Sequence, residues 1–281
     1  MGNMIRYLST TWGLVFATVC SLWAAEPAPT GAVQESYRTT LEYTEGRYTS
    51  IFGLVPKEGK LALKEERVVV KESNPAQSLD FRLKLGASSV RRLLEVPGEL
   101  PTIEVDPKPL TGKTIHCVQK DGKWDWSIEG VAAPTAAEQK EASRLAARFE
   151  PGRSPFLGVV GDPAANRKLD LERLLVFLGY AAPREVLGEA VLGVEVPGTP
   201  GLPVTLQTLF KTGEEKDELT VELEARGHLV SPDAKGGFRS FVLTGNLVVA
   251  GTRDLPDGRR VPFNIIAPFK YSVERSAMAA P

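Results

Sequence analysis

The sequence predicts a mainly β (α+β) protein whose antiparallel sheets form a sandwich or a curved half-open barrel, with a central helical segment. Three observations carry this. Apolar and polar residues alternate with a period of two over much of the chain. A capped helical pattern interrupts the strands near the middle. Strands and helices do not alternate one by one, which argues against a Rossmann or barrel α/β architecture. The resulting order is β-rich over 33–130, helical over 131–183 and β-rich over 184–275, with a frayed tail over 276–281. No short period repeats, so a solenoid or propeller is excluded. Each β-rich half carries a long strand run ending in a Gly-turned hairpin, a pattern compatible with a distant duplication.

The first 25 of the 281 residues read as an export signal. Arg6 precedes an apolar run through Leu14, Val15, Phe16, Val19, Leu22 and Trp23, and small residues follow at Ala24 and Ala25. Cleavage is expected after Ala25. Two alternatives remain open: an uncleaved N-terminal anchor, since the uncharged stretch from Tyr7 to Ala25 approaches the roughly 20 residues that span a bilayer, and lipidation at Cys20. Cleavage would remove Cys20, leaving Cys117 as the mature chain's one cysteine, so a packed core rather than a disulfide must stabilise it. Periplasm or a comparable extracytoplasmic space is the expected compartment. Residues 26–32, with Pro27 and Pro29, read as an extended linker.

The strands follow in order. Tyr37, Thr39, Leu41 and Tyr43 share one face of the first. Leu79, Phe81, Leu83 and Leu85 alternate with Asp80, Arg82 and Lys84, giving the one wet face typical of antiparallel sheets. Asp121-Gly122 is a two-residue turn, so 113–129 should be a hairpin pairing Lys120 with Lys123, Cys117 with Trp126 and Ile115 with Ile128. Thr135 and Glu138 form a capping-box signature before the helical repeat Ala142, Leu145, Ala146 and Phe149, which Pro151-Gly152 stops. A second helix is expected over 171–178, with Asp170 as N-cap and Gly179 beyond its end. Leu219, Val221, Leu223 and Ala225 then resume the alternation, the run 242–250 is densely apolar, and Asp257-Gly258 turns the chain into a last strand over 260–273.

Composition removes several function classes. Net charge is −1, and −2 once Arg6 leaves with the signal, so there is no basic field for nucleic acid. Leu110-Thr111-Gly112-Lys113-Thr114 ends like a P-loop, but Pro107 stands where that loop needs its first glycine, and the following residues read as strand. His116 and Cys117 are adjacent and point to opposite strand faces, so they do not share a metal. Ser154 is followed by Pro155, which lacks the N–H an oxyanion hole would use. Glu222 and Glu224 lie on one strand face roughly 7 Å apart, and read as a wet face. Glu214, Glu215, Asp217 and Glu218 read as a solvated turn. No cofactor, metal or catalytic residue is indicated, and the mature chain has no second apolar segment long enough to span a membrane.

The most suggestive feature is aromatic. Trp124 and Trp126, the mature chain's two tryptophans, share one hairpin face with Ile115, Cys117 and Ile128. This face either lines a pocket for an apolar ligand or is the core face of the sheet.

Three segments also carry a resemblance: Leu41-Glu42-Tyr43-Thr44-Glu45-Gly46-Arg47-Tyr48, the hairpin from Leu110-Thr111-Gly112 through Lys120-Asp121-Gly122-Lys123, and Val159-Val160-Gly161-Asp162. In these the chain resembles exported, β-rich proteins of unknown function from planctomycete-type bacteria. In architecture it is similar to the curved half-barrel of periplasmic lipoprotein carriers. The expected function is therefore a non-enzymatic binding or structural protein of the bacterial cell envelope, with an apolar small molecule or lipoprotein as partner. The alternative is a carboxylate-dependent hydrolase acting on an envelope polymer.

Overall fold

The computed structural model describes residues 33–52, 55–73, 79–95, 102–106, 109–158, 166–213, 218–233, 235–254 and 258–278. The expected signal, the linker, the motif 159–162 and most of the acidic turn after Gly213 lie outside them.

Among the described residues, twelve strands form one antiparallel sheet. The N-terminal wing holds β1 (Val33–Phe52), β2 (Val55–Ser73), β3 (Asp80–Glu95), β4 (Thr102–Asp106), β5 (Thr114–Lys120) and β6 (Lys123–Ile128). The C-terminal wing holds β7 (Arg167–Lys168), β8 (Arg184–Leu192), β9 (Leu202–Thr212), β10 (Leu219–Val230), β11 (Ser240–Asp254) and β12 (Arg260–Met278). Strand order is β6-β5-β3-β2-β1-β12-β11-β10-β9-β8-β7, with β4 pairing β3 beside β5. The chain thus meanders outward from the centre to one edge, crosses after α1 (Ala136–Phe149) to β7 at the opposite edge, passes through α2 (Leu171–Phe177) and meanders back from β8. The first and last strands meet in the middle, where Thr39 faces Val273 and Leu41 faces Tyr271. The expected mainly β fold thus takes the form of one sheet, which is not closed into a barrel. β12 pairs as far as Met278 opposite Gln34, so ordered structure runs into the tail expected to fray, because β1 supplies a ladder there.

The local readings explain the elements. The hairpin β5–β6 has Lys120 opposite Lys123, Cys117 opposite Trp126 and Ile115 opposite Ile128, with Asp121 and Gly122 both at positive φ as the turn requires. Thr135 and Glu138 cap α1 reciprocally, and Asp170 caps α2. Lys71 closes the other end of α1 by donating to the Phe149 carbonyl at 3.1 Å.

Both helices cover one face of the sheet, with two apolar clusters beneath them. One joins α1 to Val69, Phe81, Leu83, Leu85, Ile115 and Cys117. The other joins α2 to β8–β12 through Phe177, Leu206, Leu223, Phe241 and Tyr271. The sheet curls toward these helices. Tyr180 packs its ring 4.8 Å from that of Phe210 on β9 and shares a hydroxyl hydrogen bond with Tyr43 on β1. Those strands stand four places apart, about 19 Å in a flat sheet, and one side chain bridges them only if the sheet bends. Gly227 and Gly245 mark a close approach of strands. A Cβ there would fall 1.7 Å from the Val242 carbonyl oxygen or 2.0 Å from that of Glu224, so the backbones of β10 and β11 approach more closely than any side chain permits.

Candidate functional site

Where the two wings meet, the curled sheet and the helices leave a cavity of about 220 Å³. Register builds its floor. On β1, Thr39, Leu41 and Tyr43 point inward together, and their ladder neighbours are Arg67 and Glu65 on β2 and Tyr271 and Phe269 on β12. Leu223 of β10 completes the floor, Leu145 of α1 forms the roof, and Leu178 and Tyr180 after α2 close one side.

The polar residues of the wall are tied to α1. Glu141, Arg144 and Arg148 recur at helical spacing, placing them on the side of α1 that overlooks β1 and β2. Arg67, only 4% exposed, pairs with Glu141 and reaches Glu65 at 3.4 Å. Burial lowers the pKa of Arg67, opposed by Glu141, and a guanidinium nonetheless stays charged. Arg144 holds the second oxygen of Glu141 at 2.8 Å and donates to the Gly179 carbonyl at 3.4 Å. Arg148 donates to the Tyr271 hydroxyl at 2.8 Å and to Thr39 at 3.1 Å, with its guanidinium beside the rings of Phe149 and Phe177. Tyr271 in turn donates to the Phe177 carbonyl at 3.1 Å. Burial, and secondarily Glu65, push the Tyr43 phenol up to about 12; burial raises Tyr180 and Tyr271 as well, so the phenols stay neutral near pH 7. The result is a mostly apolar, aromatic chamber with cationic groups in its wall.

The hairpin face singled out in the sequence lies elsewhere. Ile115, Cys117 and Ile128 are buried in the cluster beneath α1, and Trp124 and Trp126 pack half-buried at its margin, with Trp124 5.1 Å from Phe81. None of the five lines the cavity. Burial drives the Cys117 thiol up to about 12, which makes it a poor nucleophile.

The other weighed residues occupy structural positions. Gly112 sits at φ +79° in a turn that leads into β5, a strand where a P-loop needs a helix. His116 meets Asp80 at 2.8 Å, and no cluster of three metal-binding side chains occurs among the described residues. Ser154 donates to the Gly236 carbonyl at 2.6 Å, fixing a loop. Glu222 and Glu224 are exposed on the sheet face opposite the helices.

Arg67 and Arg148 escape the sequence reading because nothing local marks them. The run Lys64-Glu65-Glu66-Arg67 looks like a solvated segment, yet in β2 its members alternate: Lys64 and Glu66 face water, whereas Glu65 and Arg67 share the inward phase of Val69, which is 2% exposed. Charges in phase with a buried valine were the available signal.

No family model matches the chain, and no curated protein matches it. Among solved structures it is similar to one of lipovitellin that reports lipid–protein interactions in that protein, with a TM-score of 0.43 and 10% identity, covering 91% of this chain and 26% of that one.

Proposed function

We propose that this chain is an exported, non-enzymatic carrier of the cell envelope that holds an apolar chain, free or attached to a lipoprotein, between α1 and the curled sheet. The observation that carries this reading is the 220 Å³ cavity, walled by Leu41, Tyr43, Leu145, Leu223, Phe269 and Tyr271 beneath a helix. Concave apolar chambers with a few placed polar groups are the usual form of small-molecule sites, which typically measure about 300–1,000 Å³. A space somewhat below that range suits one acyl chain rather than two, or asks α1 to lift for a larger guest. The signal-like residues 1–25 support export, and the absence of a disulfide partner for Cys117 suits a protein stabilised by its two apolar clusters.

A neutral apolar dye tests the site without reference to charge. Delipidated protein titrated with 1-aminoanthracene should show saturable one-to-one fluorescence enhancement. Leu41→Trp, which fills the floor of the cavity, should abolish it while circular dichroism and Tm stay near those of the parent. No saturable signal from the parent protein, or full binding by the plugged variant, refutes the carrier reading.

A further inference from the structure

The cavity wall is chemically asymmetric. Three guanidinium groups, those of Arg67, Arg144 and Arg148, line it against one carboxylate, that of Glu65. Glu141 sits beside the wall and is shared between Arg67 and Arg144. Even with both carboxylates counted, one cation is unmatched along a largely buried wall, where an uncompensated charge is costly. Two donors show where the mismatch lies. The Nε–H of Arg67 and the Nε–H of Arg148 are buried and have no acceptor. They belong to one locality, because Thr39, which accepts from Arg148, is the ladder partner of Arg67. Two guanidiniums therefore meet over neighbouring strands, each with a donor unused. An anionic head balances the extra guanidinium charge and accepts charge-assisted hydrogen bonds, a neutral hydroxyl accepts only weaker ones, and a cationic head is repelled.

We infer that the cavity selects a single-chain amphiphile with an anionic head, a carboxylate or a phosphate, which pairs with the guanidinium groups of Arg67 and Arg148 in the wall while its alkyl chain lies against Leu41, Phe269 and Tyr271. This rests on the carrier reading above and adds the class of ligand. It also gives Arg148 two roles. In the empty protein the guanidinium ties α1 to Thr39 and Tyr271; in the loaded protein the same group also receives the head.

Calorimetric titration of the delipidated protein with decanoate, decyl phosphate, decanol and decyltrimethylammonium separates the possibilities, since the chain is constant and the head varies. Decanoate or decyl phosphate should bind at least tenfold more tightly than decanol, and decyltrimethylammonium most weakly. Whichever anion is preferred identifies the head as a carboxylate or a phosphate. Arg148→Gln should narrow the advantage of the anion over decanol to less than threefold, and Arg144→Gln should act in the same direction. Equal affinity for decanol and both anions, or preference for the cation, overturns the inference and leaves the carrier standing. Failure of all four ligands to bind refutes the carrier itself. The comparison within the parent protein needs no variant, so it decides the matter even if a substitution impairs folding.

Discussion

Single residues join the helices to the sheet, and Glu138 does so by charge. Its carboxylate receives Lys113 from the start of β5 and, at 2.7 Å and 2.8 Å, the backbone N–H and hydroxyl of Thr135. Foremost the Lys113 contact, then the Thr135 bonds, hold the carboxyl down at about 2 against an ordinary value of 4.5. The sign of the pH dependence follows. A folded value below the unfolded one means that the unfolded chain takes up the proton first as acid is added, so the contribution of Glu138 is present above about 4.5 and lost between there and about 2. Glu138→Gln should lower Tm at pH 7 and flatten its fall across that window. Melting curves from pH 7 to pH 2 that stay parallel for the two proteins would contradict the assignment. Such a residue is legible in sequence, because Thr135-x-x-Glu138 is a local motif. Arg67 is not, because its partner Glu141 lies across a crossover that no local pattern specifies.

At the scale of elements, legibility divides by sequence separation. Asp121-Gly122 fixes the β5–β6 register within a few residues, and the caps of α1 and α2 act within one helical turn, so these elements can be read directly. The pairing of β1 with β12 joins opposite ends of the chain and leaves no comparable local signal. Curvature is also hidden, since a strand glycine in a sequence does not show what approaches it. The close approach of β10 and β11 makes a sharp prediction. Gly227→Ala would set its methyl 1.7 Å from the carbonyl oxygen of Val242 and 3.0 Å from the Cα of Leu243, backbone atoms of the adjacent strand that cannot yield without breaking the ladder. A loss of roughly 3–5 kcal/mol is expected, in the range of the largest single-site effects, together with loss of the cavity. Gly86→Ala is the control, because its new methyl would meet only the Val68 side chain and carbonyl at 3.4–3.5 Å, ordinary contact. Comparable Tm losses in the two variants would show that stability does not depend on the close approach at Gly227.

For the whole molecule, the question is whether a β-rich half, a helical segment and a second β-rich half behave as one body. The topology makes them one sheet, and the packing joins them twice more. Tyr37 touches both apolar clusters, with its ring 4.9 Å from Phe149 of α1. Arg148 of α1, whose helix belongs to the N-terminal cluster, bonds Tyr271 in the C-terminal one. Separating the wings would expose the β1–β12 ladder, break these side-chain ties and open the cavity, so the wings should unfold together although each holds its own apolar cluster. Tryptophan placement allows a direct check. Trp124 and Trp126, both in β6, are the tryptophans left once residues 1–25 are removed, so fluorescence reports the N-terminal wing, while far-ultraviolet circular dichroism reports strands of both. Urea unfolding of this shortened chain should give coincident midpoints by the two signals, and a saturating cavity ligand should move both upward together, by about 2.7 kcal/mol at a hundredfold excess over Kd. A fluorescence transition displaced from the dichroism transition would mean that the wings unfold separately. The cavity at their seam would then depend on docking of two independent units rather than on one continuous sheet.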